Sequence, residues 1–172
     1  MMETIYSYVL RTDDGAAPNP LWGTCTLTIC KPVIRRTAKV GDWVIGVGSA
    51  NVEVSKRKFE SYSNKLVYAM KITDIKPLAE YDAYCREHIP NKIPQWDKGD
   101  WKSRVGDCIY DFSNGDNPTL RKGVHNEDCR GTDLRGCNAL LSDCFYYFGR
   151  EAKEIPPHLH EIIKRNRGHK KI

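Results

Sequence analysis

The sequence predicts an α+β fold: a small, mixed, partly closed β-barrel with short flanking helices and an irregular insertion. Three observations carry this. Strand-like runs rich in β-branched and aromatic residues fill much of the first half of the chain. Apolar residues recur at helical spacing in two short stretches further on. Between them, residues 89–138 are dense in Gly, Pro, Asn and Asp with one clear apolar patch, Cys108-Ile109-Tyr110. A compact domain leaves so long a stretch irregular only where it is functional or covered. We therefore expect one domain over residues 1–172, with 89–138 as a cap or insertion.

Taken in order, residues 4–11 read as a strand ended by Asp13-Asp14-Gly15. Pro18 and Pro20 stiffen the loop that presents Asn19 and Trp22. Residues 25–30 alternate with period two, Leu27 and Ile29 toward the core and Cys30 on the polar face, until Pro32 ends the run. Lys31, Arg35, Arg36 and Lys39 form a basic connection to a second apolar run, Trp43 to Val47, closed by Gly46-Val47-Gly48-Ser49. Residues 50–64, with Lys56, Arg57 and Lys58 in sequence, read as a polar hairpin tip or loop. A further strand spans 65–74. Leu78, Tyr81 and Cys85 mark one face of a helix within 76–88. Regular structure returns at 140–149, where Ser142-Asp143 leads into a strand, Cys-Phe-Tyr-Tyr-Phe, and Pro156-Pro157 opens a short helix with Leu159, Ile162 and Ile163 on one side. The tail from Lys164, which includes His169, is cationic and suits phosphate contact.

The net charge of +5 favours an anionic partner. Seven cysteines, an odd number, with no secretory or transit-like stretch before the first strand, point to a reducing, cytoplasmic setting. Cys-x-x-Cys is absent and the cysteine gaps do not match zinc modules, so no metal site is expected. The sequence contains neither a phosphate-binding Gly-x-x-x-x-Gly-Lys-Ser/Thr loop nor Gly-x-Gly-x-x-Gly, and it lacks the zinc deaminase signature. No cofactor is implied, and no stretch approaches the length of a membrane-spanning helix.

Two chemistries fit the remaining residues. A nucleotide or base reader needs aromatic faces, which Trp22, Trp43 and Tyr68 can supply. Hydrogen-bonding groups for a base edge would come from Asp14, Asn19, Asp42 and Ser49, and phosphate cations from Lys31, Arg35 and Arg36, with His169 in the tail. An enzyme acting on a base, nucleotide or glycosidic bond needs a nucleophile instead. Cys30 sits among cations that favour a thiolate, with His125 as general acid or base and Asp143 to orient it. Asp107 or Asp14 is the carboxylate alternative. A protein-binding module is the third class.

Several short motifs resemble a bacterial and phage family, the nucleotide modification associated domain of the second type. They are Ala-Pro-Asn-Pro at 17–20, Gly-Thr-Cys-Thr-Leu at 23–27, Cys-Lys-Pro-x-Ile-Arg-Arg at 30–36, Gly-Asp-Trp-Val at 41–44, Leu-Val-Tyr-Ala-Met at 66–70 and Arg-Gly-His at 167–169. A second, shorter likeness, through Gly41-Asp42-Trp43-Val44, Ser49 and residues 66–72, is to PUA-like barrels that include modified-base readers. The resemblance implies a DNA-modification or phage-defence context and a nucleotide or nucleic-acid partner, including modified DNA. It supplies no reaction. Recognition at the barrel mouth is the leading expectation, with the thiol enzyme as its alternative.

Overall fold

The computed structural model describes residues 3–56 and 58–172, so Arg57 of the expected basic tip lies outside the described residues. In chain order the strands and α-helices are β1 (Ile5–Leu10), β2 (Cys25–Leu27), α1 (Pro32–Thr37), β3 (Trp43–Gly48), β4 (Val52–Ser55), β5 (Lys58–Glu60), β6 (Lys65–Lys71), β7 (Asp74–Pro77), α2 (Leu78–His88), α3 (Trp101–Arg104), β8 (Tyr110–Asp111), β9 (Thr119–Leu120), α4 (Arg130–Leu134), β10 (Asn138–Ser142), β11 (Cys144–Tyr147), β12 (Lys153–Glu154) and β13 (His169–Lys171). Short 3-10 turns fill several gaps. The class is mixed α+β, and no closed barrel is found among the described residues. The chain divides into two compact units: residues 3–13, Ala38–Ile72 and Cys144–Ile172 form one, and Asp14–Thr37 with Thr73–Asp143 the other.

The first unit is built on a sheet ordered β11-β6-β3-β1-β13, with β12 also pairing β6. Its centre is the parallel pair β1 and β3, in register from Ile5 opposite Trp43 to Leu10 opposite Gly48. Parallel neighbours require a long crossover. Residues 14–37, which belong to the other unit, lie within it. Strand β1 buries Tyr6, Tyr8 and Leu10 together with the intervening Ser7, and the Tyr8 and Tyr68 hydroxyls meet at 2.8 Å. Gly46 lies opposite Tyr68, and a Cβ there would overlap the Tyr68 ring. The glycine thus lets a large aromatic lie flat across a central strand, at the point where the β3–β6 register shifts. Val47, Ile155 and Ile163 close one end of this core. The polar stretch 50–64 resolves into the β4–β5 hairpin, Glu53 pairing with Phe59.

The second unit carries the antiparallel sheet β2-β10-β7. The Leu78, Tyr81 and Cys85 stripe of α2 is buried, and it clusters with Cys108, Ala139 and Leu141. Strand β2 is shorter than the sequence suggests. It ends at Leu27, and the basic connection beyond Cys30 is formed largely by helix α1. Pro32 is tolerated because it opens that helix, where its missing N–H would be unpaired in any case.

A buried polar knot holds this unit together. Lys92, fully buried, donates through Nζ to Asn19 O (2.9 Å), Asn19 Oδ1 (3.0 Å), Thr24 O (2.7 Å) and Thr26 Oγ1 (2.9 Å). Thr26 Oγ1 in turn donates to Asp107 Oδ2 at 2.5 Å, and Tyr81 OH donates to Asp107 Oδ1 at 2.8 Å. Burial pulls the Lys92 ammonium below its ordinary range. Every group in the knot is paired, as a buried ionic network must be to hold rather than weaken a core.

Candidate functional site

The second unit brings a thiol, an imidazole and a carboxylate together. Cys30 stands between β2 and α1 with φ of 57°, and Lys31 follows at 41°. Two successive non-glycine residues in the left-handed region cost on the order of 1–2 kcal/mol each. Such strain persists only where surrounding contacts fix it, and it clusters at functional sites. Here the fixing contacts are identifiable. The Cys30 N–H donates to Asp133 Oδ1 at 2.8 Å, and Arg35 Nε donates to Cys30 O at 2.7 Å.

Across the turn, the Cys30 sulfur lies 3.6 Å from His125 Nε2, and His125 Nδ1 lies 2.6 Å from Asp133 Oδ2. Tyr110 OH donates to the same Asp133 oxygen at 3.0 Å. Asp133, on α4, is fully buried, whereas Cys30 and His125 are half-buried. The Asp133 hydrogen bond, then the Cys30 contact, raise His125 from about 6.5 to about 10. At neutral pH the ring is therefore an imidazolium that donates from Nδ1 to Asp133 and from Nε2 toward the sulfur. Burial and the neighbouring carboxylate push the Tyr110 phenol up, so it stays a donor.

Arg35 is the clamp. It is fully buried, and its guanidinium donates to Cys30 O, to Asn138 O at 2.9 Å and, by a short bond, to Asp133 O. One planar fork thus ties the nucleophile turn, the end of α4 and the start of β10. Burial lowers its pKa to about 10, which leaves it charged at neutral pH. Gly136 is required beside it, since a Cβ there would overlap the guanidinium.

Other residues singled out by the sequence have different settings. The carboxylate on His125 is Asp133, not Asp143, which is exposed after β10 and donates its N–H to Thr73 Oγ1 at 3.2 Å. Asp107 and Asn19 are buried in the Lys92 knot, Asn19 Nδ2 also donating to Val105 O at 2.9 Å. Arg35 is fully buried with each of its three nitrogens donating to a carbonyl, so it is closed to a phosphate, whereas Arg36 is exposed and donates to Arg135 O at 2.8 Å. Asp14 accepts the Ala16 N–H at 3.0 Å in a local turn. Trp22 is half-buried with Lys92 Nζ 5.7 Å from its ring centre, and Lys31 is half-buried beside Cys30.

In the first unit, Asp42 accepts the Thr4 N–H (3.0 Å) and the Lys39 N–H (2.9 Å), closing the turn into β3 where Trp43 begins half-buried. Tyr68 is fully buried, so its face is closed to a base. Ser49 accepts the Asn51 N–H at 3.4 Å, and the His169 ring lies tilted at 45° to that of Tyr6, their centres 5.8 Å apart. Of the aromatic and cationic residues expected at one cavity, Trp22, Lys31, Arg35 and Arg36 belong to one unit, and Trp43 and Tyr68 to the other.

Asp133 escaped the sequence reading. Nothing in Arg-Gly-Thr-Asp-Leu separates it from Asp128 or Asp143, because its role arises only when α4 folds against the Cys30 turn.

The Cys30, His125 and Asp133 donor atoms lie within 4.8 Å of one another, a set that a soft divalent metal also accepts. The hydrogen bonding favours a different use. Asp133 already accepts on both oxygens, leaving only the sulfur and Nε2, half the complement of a structural zinc site. As it stands, the arrangement can form a covalent bond through sulfur and move a proton through Nε2.

Fold and site together define an α+β protein with a cysteine–histidine–aspartate relay mounted on a strained turn. The chain belongs to the family described as nucleotide modification associated domain 2, whose model matches residues 2–172. No curated protein and no solved structure matches it.

Proposed function

We propose that this chain is a thiol-dependent enzyme of nucleotide or DNA modification that hydrolyses or transfers an acyl group attached to a base or nucleotide. The observation that carries the reading is the imidazolium at 3.6 Å from the Cys30 sulfur, oriented by a buried carboxylate. The Cys30 thiolate attacks the acyl carbonyl carbon, forming a carbon–sulfur bond. His125 gives its Nε2 proton to the departing amine or alcohol as the old bond breaks. Water or an acceptor amine then attacks the thioester, His125 taking its proton, and the thiolate leaves. Asp133 holds the ring and offsets its charge, while Tyr110 and the Cys30 N–H hold Asp133.

The family description supports the nucleotide context, and seven free cysteines support a reducing, cytoplasmic setting. The test is incubation with nucleosides, nucleotides and phage DNA bearing amide or ester substituents, followed by mass spectrometry of products and of the Cys30 peptide. An acyl adduct on Cys30, absent in Cys30→Ser, supports the reading. Turnover that survives Cys30→Ser sinks it. A second reading, a metal held by Cys30 Sγ and His125 Nε2 with Asp133 behind the ring, is favoured by the clustered donors. It predicts stoichiometric zinc in the purified protein and loss of activity on chelation.

A further inference from the structure

The first unit contains a cleft of about 560 Å³ that the thiol chemistry does not use. It opens at the carboxyl ends of the parallel pair, where β1 finishes at Leu10 and β3 at Gly48. The segment after β1, the β4–β5 hairpin and the Gly149-Arg150 turn line it. Its volume lies within the range of small-ligand sites, about 300–1,000 Å³.

The walls are fixed to one another. Tyr62 N–H donates to Ser49 O at 2.8 Å, and its hydroxyl donates to Arg150 O at 3.2 Å. Tyr147 OH donates to Asp13 Oδ2 at 2.6 Å, tying the segment after β1 to β11. Gly48 makes the close approach possible, because a Cβ there would overlap Tyr62.

The lining combines three cations and an aromatic face with two carboxylates, Asp13, which accepts from Tyr147, and Glu53, so the cations outnumber the acids by one. Arg11, Lys56 and Arg150 contribute three exposed cationic side chains, and among the described residues none of the three is held in an ion pair. Phe59 projects from β5 with 60% of its surface exposed, although a phenylalanine gains nothing from water. Tyr62 adds a second aromatic wall. Cations beside an open aromatic face suit a ligand that joins anionic oxygens to a flat ring.

We infer that this cleft binds a nucleoside phosphate, the base against Phe59 and the phosphate among Arg11, Lys56 and Arg150. The inference goes beyond the thiol reaction and does not rest on it. The same chemistry is presented by a free nucleotide and by a stretch of single-stranded nucleic acid, and salt separates them, since polynucleotide binding weakens steeply as salt rises.

The experiment measures binding of nucleoside 5′-monophosphates by calorimetry and of a fluorescent single-stranded oligodeoxynucleotide by anisotropy, each at two salt concentrations. Wild type and Cys30→Ser are expected to bind alike. Phe59→Ala weakens binding roughly tenfold through lost stacking. Arg11→Glu and Arg150→Glu each weaken it about tenfold or more through repulsion of phosphate. These side chains are exposed, and circular dichroism checks that the variants remain folded. Mononucleotide binding with a shallow salt response assigns a free nucleotide, and tighter oligonucleotide binding with a steep response assigns a strand; either supports the cleft. Absence of binding in both arms overturns the inference, as does binding that Phe59→Ala, Arg11→Glu and Arg150→Glu leave unchanged. Because Cys30→Ser is silent here and decisive for the thiol reaction, the two readings fail separately.

Discussion

Replacing Arg35 with methionine tests whether a buried guanidinium assembles the site. Methionine fills the aliphatic stem but supplies none of the donors that reach Cys30 O, Asp133 O and Asn138 O. Three carbonyls, one buried and two part-buried, lose their partners at a net cost near 1–1.5 kcal/mol each, and relief from a buried charge offsets part of it, so the loss is about 2–4 kcal/mol. At about 2–4 °C per kcal/mol for a chain of this size, Tm should fall by roughly 4–16 °C. The assay is thermal and urea denaturation of wild type, Arg35→Met, Gly136→Ala and the double variant. Gly136→Ala alone destabilises, since its Cβ overlaps the guanidinium, and the cost should largely vanish in the Arg35→Met background. A loss below about 1 kcal/mol for Arg35→Met would refute the clamp, as would a Gly136→Ala cost that is the same in both backgrounds.

The remaining predictions concern the relay. His125 is raised from about 6.5 to about 10, so its contribution to stability is full below pH 6.5 and is lost as pH rises through 10. The unfolding free energy should therefore decline over that window by roughly 1.5–3 kcal/mol, the worth of a charge-assisted hydrogen bond. His125→Gln should flatten the decline, and the difference between the two profiles isolates His125 from other titrating groups such as Lys92. Asp133→Asn keeps the shape but removes the carboxylate charge, so the His125 titration followed by NMR should move down toward the ordinary histidine range. Tyr110→Phe deletes one of several bonds to Asp133 and should cost about 1–2 kcal/mol while leaving thiol chemistry in place.

Much of the secondary structure is legible because its physics is local. The β-branched and aromatic run that forms β1 and the Leu78, Tyr81, Cys85 stripe are local patterns of residue type and spacing. The stretch from 89 to 138 is unreadable for the opposite reason. Lys92, Asp107 and Asp133 are buried polar groups that each take a partner tens of residues away, and polar residues carry no periodic signature of burial. Cys30 and His125 stand out by chemical type alone. Asp133 does not, and Arg35 looks like a surface cation until the carbonyls around it are seen. Basic side chains beside a thiol suggest phosphate binding from sequence, but a planar donor fork serves equally well to hold a turn together. Gly46, Gly48 and Gly136 follow the same pattern. Each is a visible glycine, but the ring, hairpin or guanidinium that needs it appears only in the fold.

The most direct test of the relay is the alkylation rate of Cys30, resolved from the other cysteines by peptide mass spectrometry, as a function of pH. The imidazolium beside the sulfur predicts that Cys30 reacts with iodoacetamide at pH 6 well ahead of the exposed Cys137 and Cys144, and that His125→Gln abolishes this lead. Alkylation of Cys30 no faster than of Cys144 at that pH, or a lead that survives His125→Gln, would contradict the account.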